Sequence, residues 1–266
     1  MISPLALIEE GATIGKNVSI APHVFVSKDA VIGEGTTIAQ GACIYGKTTI
    51  GAYNEIFSYA VLGSIPQDLK YAGEEVELII GDHNKIREFT LFNPGTAGGG
   101  SVTRIGSHNL FMGYTHVGHD AQIGDYCILA NAATLGGHVE LGNRVVIGGL
   151  SGIHQFCKLG DFAMLGAGSL LTQDMPPYTL AEGGRAVLRG LNLNGLRRHI
   201  EDKESINALK VAYRELFEQG QPLQEVAQRL VQSPNEYVQK MAQFVVDTTR
   251  GIPFVRKEHT SETKSS

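Results

Sequence analysis

The chain has 266 residues, enough for one large domain or a domain with an appendage, and its 42% hydrophobic composition supports a sizeable core. A net charge of -5 argues against a dedicated nucleic-acid binder. No run approaches the roughly 18 apolar residues of a membrane span, and the opening MISPLALIEEGATIG lacks the basic start and apolar stretch of a signal peptide. The three cysteines, Cys43, Cys127 and Cys157, are odd in number and widely spaced. They indicate neither a disulfide framework nor a cysteine metal site, and a reducing, cytoplasmic setting is expected.

From Ile8 onward, every sixth residue is aliphatic: Ile14, Ile20, Val26, Ile32, Ile38, Ile44, Ile50, Ile56 and Leu62. The pattern lapses, shows Ile80 and Ile86, and lapses again through NPGTAGGGSVTR. It then runs through Ile105, Phe111, Val117, Ile123, Leu129, Leu135, Leu141, Ile147, Ile153, Leu159, Leu165 and Leu171. An α-helix cannot use this period, because six residues advance it by about 600° and scatter the apolar side chains around its surface. A short strand followed by a tight turn can, with the aliphatic residue of each hexad pointing inward. The abundance of glycine (33 residues) and the absence of tryptophan suit such coils. The expected fold is mainly β: a parallel β-helix over residues 1–188, with loops thrown out near 63–79 and 93–104. Such long loops are commonly functional or disordered.

After Asp174-Met-Pro-Pro the hexads stop. Ile206, Leu209, Tyr213, Leu216 and Phe217 follow at helical spacing before Gly220; Pro222 opens a second helix with Leu223, Val226 and Leu230. A third helix is expected from about 235 to 250, carrying Tyr237, Met241, Phe244 and Val245. Residues 189–256 read as a small C-terminal α-helical domain, and 257–266 as a polar, disordered tail.

Four of the nine histidines fall between residues 116 and 154. Folded onto 18-residue coils, positions 118, 136 and 154 share a column, as do 119 and 137, and 120 and 138. His116, His119, Asp120, His138, His154 and Gln155 are thereby drawn to one corner of three successive coils, spaced about 4.8 Å apart. Solvent-facing corner residues are the plain alternative.

The segments YTHVGHD (114–120), ILANAATLGGHV (128–139), GIHQFC (152–157) and IPQDLKYAGE (65–74) are similar to the signature segments of UDP-N-acetylglucosamine O-acyltransferases, over a match reaching at least Arg198. The resemblance implies a left-handed β-helix, an exception to the usual crossover handedness. It also implies a homotrimer with active sites between prisms. The implied activity is the first step of lipid A synthesis: transfer of an (R)-3-hydroxyacyl chain from acyl carrier protein to the 3-position of the sugar. No cofactor or metal is implied, acyl carrier protein being a co-substrate.

The resemblance makes His119 the general base; histidine's ordinary pKa of about 6.5 suits that task. It makes the Gly137 N–H the oxyanion donor, and His116, His138, His154 and Gln155 substrate contacts. Asp120 is placed to support the base, although neighbouring residues on a strand point opposite ways. Gln67, Asp68 and Lys70, on the first loop, match residues used across a subunit boundary. Asn192, Arg198 and His199 match nucleotide-handling positions, with His199 where a second arginine is common and Asn194 where a glutamate is. Ala167 matches the residue that closes the acyl groove, its small size implying a medium to long chain. Gly118 leaves space beside the acceptor, and the sequence does not choose between a 3-hydroxyl and a 3-amino group. Arg185, Arg189, Arg197 and Arg198 form a basic cluster suited to an acidic carrier protein, or a solvated helix face.

Three other readings compete. Histidines on neighbouring coils resemble the zinc site of prism-shaped carbonic anhydrases, but His116 and His119 are poorly spaced to face one ion. A non-catalytic β-helix scaffold would need none of this chemistry. The N-acyltransferase of the same pathway carries an extra N-terminal domain, for which hexads beginning at Ile8 leave no room. The GTAGGGS segment lacks the Gly-Lys-Ser/Thr ending and strand-to-helix setting of a phosphate loop, and is expected to be a plain turn.

Overall fold

The structure is a computed structural model that describes residues 1–255; the expected tail at 257–266 lies outside the described residues. Strands of mostly two residues alternate with corner turns and stack into three sheets of nine, eight and ten strands, parallel but for the last strand of the third, the faces of a left-handed triangular prism. The first face runs from Leu7–Ile8 to Leu170–Leu171 and the second from Thr13–Ile14 to Lys158–Leu159. The third runs from Ser19–Ile20 through Thr179–Glu182 to Val187–Leu191.

The hexad residues form the core. Ile20, Val26, Ile44, Ile56, Leu62, Val117, Leu135 and Leu165 are each almost wholly buried, and Ile8 and Ile14 only partly, because no coil covers them from below. Each buried side chain contributes about 1.5–3 kcal/mol. Phe92 continues the hexad series in register between Leu62 and Val117 and packs edge-on against Phe111 at 4.8 Å. Stacking also leaves main-chain groups at the corners to satisfy. A buried asparagine ladder does this at one corner: the side-chain oxygen of Asn54 accepts from the Asn84 N–H, that of Asn84 from Asn109, and that of Asn109 from Cys127. Burial pushes the Cys127 thiol up to about 12, leaving it un-ionised.

Corner turns place non-glycine residues in the left-handed region all along the prism, from Asn17 (φ 58°) to Phe162 (φ 58°). Side chains from this position project outward, one above another, so rings there stack as Tyr53–His83–His108–Tyr126 and Tyr59–Phe89–Tyr114, with centroids 4.8–5.3 Å apart.

Register between successive coils is 18 residues at Ile44↔Leu62. It widens to 30 at Leu62↔Phe92 and 25 at Phe92↔Val117. Both insertions leave the corner between the first and second faces. They are shorter than the lapses in periodicity suggest: strands resume at Glu77 and Val102, inside the expected loops 63–79 and 93–104. The prism also runs past residue 188, since Thr179–Glu182 joins the third face and Val187–Leu191 folds back antiparallel on it. The hairpin ends the stack of open parallel edges.

Four helices follow: α1 (Leu193–His199), α2 (Lys203–Phe217), α3 (Leu223–Leu230) and α4 (Glu236–Asp247). The expected apolar face of α2 is buried throughout, and α1 is an addition to the three helices expected. The side chain of Asp202 caps α2 at Glu204 and Ser205, and that of Asn235 caps α4 at Tyr237 and Val238. Asp174, fully buried, joins the domains: its carboxylate accepts from the Lys158 N–H and from the Thr248 hydroxyl. Lys240 of α4 forms an ion pair with Asp161 of the prism. Among the described residues no helix is long and apolar enough to cross a membrane.

Candidate active site

The corner between the first and second faces carries both insertions and the histidine cluster. His116 stands on the strand His116–Val117, beside Thr134 of the next coil. His119 and Asp120 are turn residues, with Asp120 at φ 60°, so the strand rule that would send them to opposite sides does not apply. His119 Nδ1 lies 2.8 Å from Asp120 Oδ2. The two residues are 8% and 4% exposed, and the carboxylate itself is fully covered. In this geometry Nδ1–H donates to the carboxylate and Nε2 is left to accept a proton.

Asp120 is held from its other side by the glycine-rich segment. Thr96 N–H donates to Oδ1 at 2.8 Å and the Thr96 hydroxyl to Oδ2 at 2.6 Å. The segment expected to be a plain turn therefore forms the wall behind the acid. Its short 3-10 turn, Ala97–Gly99, leaves no space for a methyl group on Gly99, which packs against the carboxylate.

One coil further on, Gly137 lies under the His119 ring. A Cβ there would stand 2.5 Å from Cε1 and 2.6 Å from Nε2, so only glycine admits the imidazole. The Gly137 carbonyl accepts from Phe156, while its N–H finds no acceptor among the described residues. His138 crosses His119 edge-on at 5.0 Å and stacks flat on Phe156 at 4.3 Å; its Nε2 is 3.7 Å from Asp120 Oδ2. Burial holds His138 below the ordinary histidine range, an effect opposed by the Asp120 charge. Burial likewise lowers His116, opposed by a backbone hydrogen bond at Leu91. An open cavity of about 460 Å³ beside these groups is lined by Asp120, Gln122, His138, Glu140, Phe156 and Lys158, among others.

The remaining sequence-derived positions separate. Gln155 is exposed at the corner, its side chain packed near Gly136. His154 points away to the domain seam, where Nδ1 is 3.1 Å from the Gln155 carbonyl and 3.3 Å from an Arg250 guanidinium nitrogen. Gln67 and Lys70 are exposed on the first loop; Asp68 accepts from the Lys70 N–H at 3.0 Å, and its charge reaches His138. Asn192 is buried as the cap of α1: its oxygen accepts from Gly195 and its amide donates to the Phe162 carbonyl. Arg198 and His199 are exposed in the last turn of α1, His199 resting on Phe162 at 5.8 Å. Ala167 is exposed at the opposite edge of the first face, whose outer surface carries Gly152 and the half-exposed Leu170. A Cβ on Gly118 would lie 2.8 Å from backbone atoms of Leu135, Gly136 and Gly137, so coil packing by itself demands glycine there. Arg185, Arg189, Arg197 and Arg198 are all exposed.

His119, Asp120 and His138 each offer one ligand atom within 4.8 Å of the others, a spacing that could hold a metal ion. The donors are engaged otherwise: His119 bonds directly to Asp120, and Thr96 occupies both carboxylate oxygens. This donor set orients a histidine rather than presenting free ligands.

Residues 174–253 match the profile described as "Udp N-acetylglucosamine O-acyltransferase; Domain 2", and residues 103–137 match "Bacterial transferase hexapeptide (six repeats)". The acyl-(acyl-carrier-protein)–UDP-N-acetylglucosamine O-acyltransferase of Aliarcobacter butzleri is 61% identical over 96% of this chain and 99% of that protein. The protein of the same name from a Sulfurovum species is 62% identical over 96% and 98%. The solved structure of UDP-N-acetylglucosamine acyltransferase from Campylobacter jejuni superposes with a TM-score of 0.93 at 48% identity, covering 96% of this chain and all of that one. The prism, its helical cap and these similarities together show that the chain belongs to the UDP-N-acetylglucosamine O-acyltransferases, a family of hexapeptide-repeat enzymes.

Proposed function

We propose that the chain moves a 3-hydroxyacyl group from acyl carrier protein to the 3-hydroxyl of UDP-N-acetylglucosamine, the first step of lipid A synthesis, with His119 as general base. The observation that carries this reading is the buried His119–Asp120 hydrogen bond directly over Gly137. His119 Nε2 takes the hydroxyl proton as the oxygen attacks the thioester carbonyl. The Gly137 N–H, without an acceptor among the described residues, stabilises the oxyanion. The C–S bond then breaks and the thiolate takes the proton back from His119. This chemistry calls for no cofactor, acyl carrier protein serving as a co-substrate.

The partly buried His116 and His138, with Gln155, line the approach to the base and suit hydroxyl and amide groups of a sugar. Gln67, Asp68 and Lys70 leave the prism at the same corner, which supports a homotrimer in which this loop completes a neighbour's site. The exposed arginines at 185, 189, 197 and 198 suit an acidic carrier protein. Arg198 and His199 are free to meet the nucleotide, whereas Asn192 acts through its cap on α1. A chain starting at His119 and lying across the first face would pass Gly152 and end near Ala167. We infer a cytoplasmic enzyme, in keeping with acyl carrier protein and a UDP-sugar as its co-substrates.

The test is a transfer assay with 3-hydroxyacyl carrier proteins of graded length, offering UDP-N-acetylglucosamine and its 3-amino analogue. Transfer to the hydroxyl is expected, with His119→Ala slower by about 10²–10⁴. An unchanged rate in His119→Ala would falsify the base assignment.

A further inference from the structure

The glycine-rich segment 94–101 is closed on itself around Thr96. The N–H groups of Gly99 and Ser101 both donate to the Thr96 carbonyl, at 2.9 and 2.8 Å, and Gly100 and Ser101 turn through φ 93° and 65° to bring them there. Gly95 N–H donates to the Glu77 carbonyl at 3.1 Å. The first insertion braces the second, since Glu74 accepts from Ala97 N–H at 3.3 Å as well as from Ala72 at 2.8 Å. Thr96, 4% exposed, is thus anchored by its carbonyl while its N–H and hydroxyl grip the two oxygens of Asp120.

Two donors from one anchored residue set the plane of a carboxylate. That plane decides which neighbour shares Oδ2. Two imidazoles compete for it: His119 Nδ1 at 2.8 Å and His138 Nε2 at 3.7 Å. A carboxylate held only through Oδ1, by the Thr96 N–H, could turn its other oxygen toward His138 and release His119. The Thr96 hydroxyl, at 2.6 Å from that same oxygen, removes the freedom. We infer that Thr96 is a positioning residue, which locks Asp120 onto His119 and away from His138 and so keeps the Nε2 of His119 aimed at the acceptor. The inference rests on the assignment of His119 as base.

The test is a set of variants of the full chain in the transfer assay. Thr96→Val removes the hydroxyl and keeps the branched shape; Thr96→Ala removes it with less bulk, should the valine not fit. Either should lower kcat about 10-fold, the worth of one hydrogen bond to a charged group, and leave KM for both substrates within about twofold. Thr96→Ser should restore the wild-type rate. In a His119→Ala background, Thr96→Val should cost nothing more, because no base remains to be aimed. Wild-type kcat in both Thr96→Val and Thr96→Ala, a serine variant as slow as valine, or an equal loss in the His119→Ala background would each overturn the inference. A His119→Ala enzyme of undiminished rate would instead remove the base assignment itself, a result visible from that single variant.

Discussion

Asp120 Oδ2 and His119 Nδ1 meet at 2.8 Å within a corner turn, although the two residues are adjacent in the chain. The left-handed backbone at Asp120 makes this possible by turning its side chain beside that of its neighbour. Asp120→Asn should therefore keep the fold and lose catalysis. An amide cannot accept from both Thr96 groups and His119 at once, and it presents an N–H to one of them. We expect kcat to fall about 10²-fold or more, with the fold kept and about 1–3 kcal/mol lost in urea unfolding to the mismatched donor; a variant as fast as wild type would leave the pairing without a catalytic role.

Gly137→Ala tests the other side of the base. Its methyl group would occupy the position of the His119 ring edge, 2.5 Å from Cε1. The ring must swing off Gly137, and displacement of a reacting group by about 1 Å is worth about 10²-fold in rate. Steady-state kinetics should show that loss in kcat, and a structure of the variant should show the imidazole moved.

Stability should fall on mild acidification. His116 and His138 have folded-state pKa values below the ordinary 6.5, both chiefly through burial. As the pH drops through about 6.5 the unfolded chain takes up protons that the folded one refuses, so stability present above that pH is lost down to the folded values. The melting temperature should decline from pH 7.5 to 5.5, and less steeply in a His116→Asn/His138→Asn double variant. Equal slopes would show that other groups carry the dependence.

Asp174 should be a point of weakness far from the chemistry. Its buried carboxylate holds Lys158 of the prism and Thr248 beyond α4. Asp174→Ala strands those donors and should cost about 2–3 kcal/mol in urea unfolding, with normal kcat in folded enzyme at low temperature.

Ala167→Met should shorten the preferred acyl donor. The position is exposed where a chain crossing the first face from His119 would end, and a longer side chain occupies the space of several methylenes. Competition between donors of graded length measures the shift, each lost methylene contact being worth about 0.8 kcal/mol.

The prism was legible along the chain because its repeat is local. Each hexad buries its own residue, so Ile20, Val26, Leu135 and Leu165 announce their burial by spacing alone. The apolar face of α2 was legible for the same reason. Phe92 follows Ile86 by six residues and belongs to the series, but at the edge of the second lapse it has no following member six residues on to mark it. The asparagine ladder and the stacked rings were hidden by the insertions, which replace steps of 18 residues with 30 and 25. The corner column of 120 and 138 was recoverable because no insertion intervenes there.

Periodicity thus determined the architecture, the presence of two insertions, and the gathering of His119, Asp120, Gly137 and His138 on neighbouring coils. Tertiary structure decided how those residues are used. It turned Asp120 toward His119, sent His154 away to Arg250, made Asn192 a helix cap, and brought Thr96 across 24 residues of chain onto the acid. The difference is physical: a repeat specifies where a backbone position lies in its coil, whereas the direction of a corner side chain depends on the turn's φ and on whatever a neighbouring loop leaves room for.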